Sequence, residues 1–148
     1  MSFINTPVGT AAPLLAPLVT LNAWTLVMQT WMYSKRLPAL SRHKVNMDSS
    51  LSQAKMEAML PPEIQWPAQN FNHLHEQPTY FVGTILTLTY LGVNDNVTLA
   101  AAWGYVGLRI AHSIVQATVN NIMVRFSLFS ASSVVLAGLT AKAASLVF

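Results

Sequence analysis

The sequence predicts an all-α protein, a bundle of four transmembrane helices forming one domain over 1–148, and three observations carry that prediction. Hydrophobic residues make up 53% of the chain and charged residues 9%, with a mean hydropathy of +0.42. A soluble domain carries about 25% charged residues. Apolar stretches recur at about 13–33, 70–91, 97–119 and 126–147, each long enough at about 1.5 Å per residue to cross a hydrocarbon core about 30 Å thick. Five of the eight basic residues (Lys35, Arg36, Arg42, Lys44 and Lys55) lie in the one long polar connection, 34–69.

The first span, about Pro13 to Tyr33, holds no charged residue. Pro13 and Pro17 fall in its first turns, where proline is best tolerated. Trp31, Tyr33, Lys35 and Arg36 close it as an interfacial anchor. Asn22 and Gln29, seven apart, share a face and read as interhelix hydrogen-bonding groups. No basic run precedes this stretch, which argues for a retained span over a cleaved signal. Within 34–69, Ser50-Leu51-Ser52-Gln53 matches a capping box and predicts a short amphipathic helix to about Leu60, stopped by Pro61-Pro62. Its apolar residues Leu51, Met56, Met59 and Leu60 fit either the membrane surface or the underside of the bundle. Trp66-Pro67 leads the chain back to the interface.

The second helix is expected from about Ala68 to Leu91, with Pro78 kinking it or tightening a turn. Asn72, Glu76, Thr79, Gly83 and Thr87 share one of its sides. Residues 92–96 are a turn by composition. The third helix runs from about Val97 to Val119, Asn120-Asn121 makes a bend, and Arg125 opens a fourth span, about Phe126 to Val147. That span is rich in Ser, Ala and Gly, which permits close helix contacts; Lys142 lies near enough to its far end to snorkel. The charge asymmetry places 34–69 and 120–125 in the cytoplasm and both termini outside or in a lumen. It does not distinguish an endomembrane from a bacterial inner membrane.

The most expensive stretch is Tyr105 to Gln116. At about 100° per residue, Tyr105, Arg109, His112, Ser113, Gln116 and Asn120 fall within roughly a 100° arc. A charge at the bilayer centre costs about 2.5–3.5 kcal/mol even on the lenient scale, so Arg109 should face protein or water and have a partner. Glu76 is the candidate, as the other charge near membrane depth. The pair and its neighbours either fix helix register or form a pocket for a small zwitterionic or anionic molecule.

Asn72-His73-Leu74-His75-Glu76-Gln77-Pro78, then Arg109-Ile110-Ala111-His112, then Arg125, together resemble the signature of the MAPEG family, the membrane-associated proteins in eicosanoid and glutathione metabolism. The resemblance is densest from Pro62 to about Ser133. It implies a four-helix membrane subunit, a homotrimer, and glutathione as co-substrate between neighbouring subunits near the cytoplasmic face. It implies that Asn72, Glu76, Arg109, His112 and Gln116 contribute to glutathione binding, and that Arg125 is catalytic. An arginine beside a sulfur stabilises the thiolate, which is the nucleophile.

The chain departs from the pattern at three places. Asn72-His73 stand where active members usually have Arg-Asn, Gln116 where a tyrosine is often found, and Phe129 in place of another tyrosine. Two functions follow as expectations. One is a glutathione-dependent transferase or peroxidase acting on a lipophilic small molecule from the bilayer. The other is a non-catalytic membrane scaffold or lipid-binding subunit, with membership of a larger membrane complex left open.

Other classes find no support. The basic residues are too few, and too little interleaved with aromatics, for nucleic acid. The chain has no cysteine, excluding disulfides and zinc–thiolate sites. His73 and His75 project to different sides of a helix, so no shared metal is expected. A haem between His73 and His112 has no further feature behind it. A four-helix multidrug transporter would want a carboxylate in the first span, and none is there.

Overall fold

The computed structural model describes residues 12–46, 48 and 50–148. The residues ahead of the first span, 1–11, on which the expectation that this span is retained rests, lie outside the described residues. The chain folds into α1 (Leu15–Arg42), α2 (Gln53–Ala58), α3 (Pro62–His73), α4 (Gln77–Tyr90), α5 (Asn96–Thr118) and α6 (Ile122–Val147), with no strand among the described residues.

α1 starts near the expected position, with Pro17 buried in its first turn, but continues beyond Tyr33 through Pro38 to Arg42. Hydropathy marks where the apolar surface stops, whereas the helix continues for as long as its polar end finds support. That support is α2 and α3. Arg36 Nη2 donates to Gln65 Oε1 at 3.4 Å and lies 3.6 Å from Glu57 Oε1, while Gln65 Nε2 donates to the Glu57 carbonyl at 2.6 Å. Ala39, Leu40 and Leu60 form a small core with Met56 and Ile64. The short amphipathic helix therefore tucks part of its apolar side beneath α1, although Met59 remains 52% exposed. Ser52, not Ser50, caps it, accepting from the Lys55 N–H at 3.3 Å. Pro62 opens α3, where its missing N–H leaves no bond unmade.

The expected second helix is two. α3 ends at His73 and α4 begins at Gln77, with Glu76 outside helical geometry at φ −87, ψ −98. Pro78 is the cause. It has no N–H for the carbonyl four residues back, at Leu74, and its ring collides with that carbonyl. The disruption thus falls one turn upstream of the proline.

α1, α4, α6 and α5 touch in a closed ring, and α3 lies against α1 and α5. The main core runs from Leu14, Leu18 and Leu21 through Phe81, Ile85 and Leu88 to Tyr105, Leu136 and Leu139. Phe81 stacks on Tyr105 with centroids 4.3 Å apart and planes at 14°. Asp95 caps α5, accepting from the Thr98 N–H at 2.9 Å and its hydroxyl at 2.8 Å. Lys142 reaches the half-exposed Asp95 at the start of α5, pairing with its carboxylate and donating to Thr98 Oγ1 at 2.6 Å. Lys142 first, then the Thr98 N–H and hydroxyl, hold the Asp95 carboxyl well below the usual carboxylate range.

Of the described helices, α6 alone is long and apolar enough by itself to cross a membrane. α4, at 14 residues, reaches only about 21 Å. The outer surface is nevertheless apolar, with Val19, Leu26, Tyr80 and Val134 all more than half exposed. A continuous apolar exterior of this kind suits lipid or a partner better than water.

Candidate functional site

The polar stripe of α5 points into the bundle. Tyr105, Arg109 and Ser113 are fully buried, and His112 and Gln116 are 2% and 3% exposed. Their spacing follows one helical face, so packing that face buries all five together. At the end of the stripe the helix is stopped by Asn120, which adopts the left-handed conformation at φ 53 and donates its N–H to the Val115 carbonyl at 2.7 Å. Asparagine tolerates that conformation better than other residues with a β-carbon. Asn121 then caps α6, accepting from the Val124 N–H at 3.1 Å. The Asn120 side chain accepts from Arg125 Nη1, so the same turn that reverses the chain aims the arginine.

Arg109 does not pair with Glu76. Its Nη2 donates to the His73 carbonyl at 3.3 Å, its Nη1 to Gln77 Oε1 at 3.5 Å, and its guanidinium carbon lies 5.7 Å from the Phe129 ring centre. The His73 carbonyl is among the last of α3, where unpaired carbonyls carry the negative end of the helix dipole. Arg109 thus spans the break between α3 and α4. Glu76 is turned outward by that break, its side chain 67% exposed, and its Oε2 accepts from His73 Nδ1 at 2.6 Å. The expected buried ion pair is replaced by a cation on neutral oxygens and a separate carboxylate–histidine pair.

The rings of His73, His112 and Phe129 cluster, with centroids 5.2 Å (His73–His112), 5.4 Å (His73–Phe129) and 6.4 Å (His112–Phe129) apart. The two histidines are too close for a haem between them. A cavity of about 250 Å³ opens beside the cluster, lined by His73, His112, Ile122, Arg125, Phe126 and Phe129. Of the six expected site residues, His112 and Arg125 line it, and Arg109 sits behind it. Glu76 lies at the edge of a separate, wider groove between α4 and α6 that Phe129 and Ser133 also line. Gln116 is sealed off, its Oε1 accepting from Asn70 Nδ2 at 3.0 Å. Asn72 is exposed.

Three residues at the site were not anticipated. Gln77 joins three helices: it donates to Ser133 Oγ at 2.7 Å and accepts from Tyr105 and Arg109, each at 3.5 Å. Asn70 docks α3 onto α5. Its burial was readable from Pro67, Asn70 and Leu74 lying on one side of the helix, all three buried. His73 is the third; its signal was the carboxylate three residues on, one helical turn away.

The chemistry of this end of the bundle is cationic. Arg109 and Arg125 each retain a buried Nε–H with no partner among the described residues. The nearby carboxylate, Glu76, is occupied by His73. The site can hold an anionic group and stabilise negative charge on a polarisable atom. The MAPEG family matches the chain over residues 14–145. No curated protein and no solved structure matches it.

Proposed function

This chain belongs to the MAPEG family of membrane proteins, and from that premise we propose that it is a glutathione-dependent transferase or peroxidase acting on lipophilic electrophiles. Arg125 carries the proposal. It lines the cavity beside two histidines, and a thiolate sulfur held there would lie against its guanidinium charge. A free thiol ionises at about 8.5, and a neighbouring guanidinium lowers that value toward neutrality. Glutathione's carboxylates would meet the positive field of Arg109 and Arg125, and His112 would orient the thiol. The electrophile would enter from the bilayer along the groove between α4 and α6.

The assembly that goes with this role is a homotrimer of four-span subunits, in which α1, α4, α5 and α6 cross the membrane and the site end faces the cytoplasm. Size supports a contribution from a neighbour. The cavity of about 250 Å³ falls below the roughly 300–1,000 Å³ of ordinary ligand sites. Beside it Ile122, Met123 and Phe126 are 75%, 70% and 63% exposed, as a surface awaiting a second subunit would be. The short α4 crosses with the help of α3 below it.

Conjugation of an aryl halide with glutathione tests the activity. Arg125→Ala is expected to reduce turnover about 10²–10³-fold, the scale of losing one donor to developing negative charge, with the trimer retained. No glutathione-dependent thermal shift and no conjugation in the wild type would dismiss it. A second reading, a lipid-binding scaffold without catalysis, draws on Gln116: its amide is engaged by Asn70 and unavailable to a ligand.

A further inference from the structure

Resting on the glutathione reading of the same cavity, we infer that His73, held by Glu76, is the general base that takes the thiol proton. The chain carries histidine here where the family pattern has asparagine, and the geometry gives that exchange a use. A carboxylate can only accept, so the 2.6 Å contact makes His73 Nδ1 the donor. The proton of a neutral His73 therefore resides on Nδ1, and Nε2 keeps its lone pair. Nε2 makes no hydrogen bond among the described residues, and the ring lines the cavity together with Arg125. A nucleophile, a base and a third group that orients the base is the general arrangement for activating a weak nucleophile.

The groups around His73 favour a base that works and then discharges. Glu76, from the same turn, stabilises the imidazolium. Burial first, then the charges of Arg109 on α5 and Arg125 on α6, oppose its accumulation, while the His112 ring on α5 and the Phe129 ring on α6 pack beside it. The His73 carbonyl also accepts from Arg109, so the backbone beneath the ring is fixed to α5. In the reaction the S–H bond breaks and its proton passes to His73 Nε2. The sulfur electron pair forms the C–S bond to the aryl carbon, and halide leaves with its bonding pair. His73 then releases the proton to water, which restores the neutral ring. Arg125 stabilises the thiolate between those events, and Glu76 acts as a positioning residue for the imidazole.

The test is the pH dependence of kcat/KM for aryl halide conjugation in wild type, His73→Gln and Glu76→Gln, with glutathione affinity measured by calorimetry on each. His73→Gln keeps a polar side chain but cannot accept the proton. It is expected to bind glutathione within threefold of wild type and to lose about 10²–10⁴-fold in rate at pH 7, the usual share of a general base. The deficit should shrink as pH rises past about 8.5, where the thiol ionises unaided. Glu76→Gln, which preserves the contact without the charge, should shift the acid limb of the profile. It also stands in should His73→Gln fail to assemble. An active wild type with both variants within threefold of it at every pH would overturn the base assignment alone. A wild type that neither binds nor conjugates glutathione would overturn the site's glutathione reading and the base assignment together.

Discussion

The Asn70–Gln116 contact offers the sharpest structural prediction, because it links the platform under the site to the helix that carries it. Asn70 is fully buried and Gln116 is 3% exposed, with a single 3.0 Å hydrogen bond between them. Asn70 Oδ1 already lacks a partner among the described residues. Gln116→Leu would strand the Asn70 amide completely, and leaving a buried polar group unmatched costs about 1–3 kcal/mol. Interhelix hydrogen bonds in membrane proteins average about 0.6 kcal/mol and reach about 1.7. For a pair this buried, the coupling should lie toward the upper end, at about 1–2 kcal/mol. Asn70→Leu, Gln116→Leu and the double variant form the cycle, read by equilibrium unfolding in mixed micelles. The double variant should be more stable than the sum of the singles implies, because replacing both partners removes the stranded amide. Additivity within about 0.5 kcal/mol would mean that α3 is not docked through this bond.

Three further outcomes follow from the geometry. Asp95 has its carboxyl depressed in the folded state by Lys142 and Thr98, so its contribution is fully present above the unfolded value of about 3.9 and is lost as pH falls below it. Thermal unfolding should therefore show wild type more stable than Asp95→Asn at pH 7, with the gap closing as pH drops below about 4; a gap that widens on acidification would contradict the contact. Asn121→Ala removes the α6 cap and should cost about 1 kcal/mol in unfolding free energy. Asn120→Gly relieves a left-handed backbone but frees Arg125, so stability should hold while conjugation falls; unchanged turnover would separate Arg125's orientation from the activity.

Much of this was legible from residue order. The stripe from Tyr105 to Gln116 lies on one helical face, and that face is the buried one. The turn at 92–96 and the asparagine bend follow the local chemistry of caps and breakers, although Asn121 caps the last helix so that it begins at Ile122, one turn before the expected Phe126. What resisted prediction depends on where a helix stops. α1 extends beyond its apolar segment because α3 supports it, a tertiary cause that hydropathy does not register. The split before α4 follows from Pro78, but acts four residues upstream, and it turns Glu76 away from Arg109. Charge complementarity alone suggested that pair. The break instead supplied backbone oxygen to the arginine and gave the carboxylate to His73. Asn72 and Glu76 were expected on one working face; their neighbours Asn70, His73 and Gln77 make the buried and cavity-lining contacts.

The central claim is that Arg125 faces an ionised glutathione sulfur. The direct measurement is the ultraviolet thiolate absorbance that appears when glutathione is titrated into the purified protein at pH 7, with S-methylglutathione as the control. Free glutathione is only a few per cent thiolate at that pH. Wild type should give a saturable thiolate signal, absent with the methylated control and strongly reduced in Arg125→Ala. Saturable glutathione binding with no thiolate signal, or an equal signal in Arg125→Ala, would contradict it.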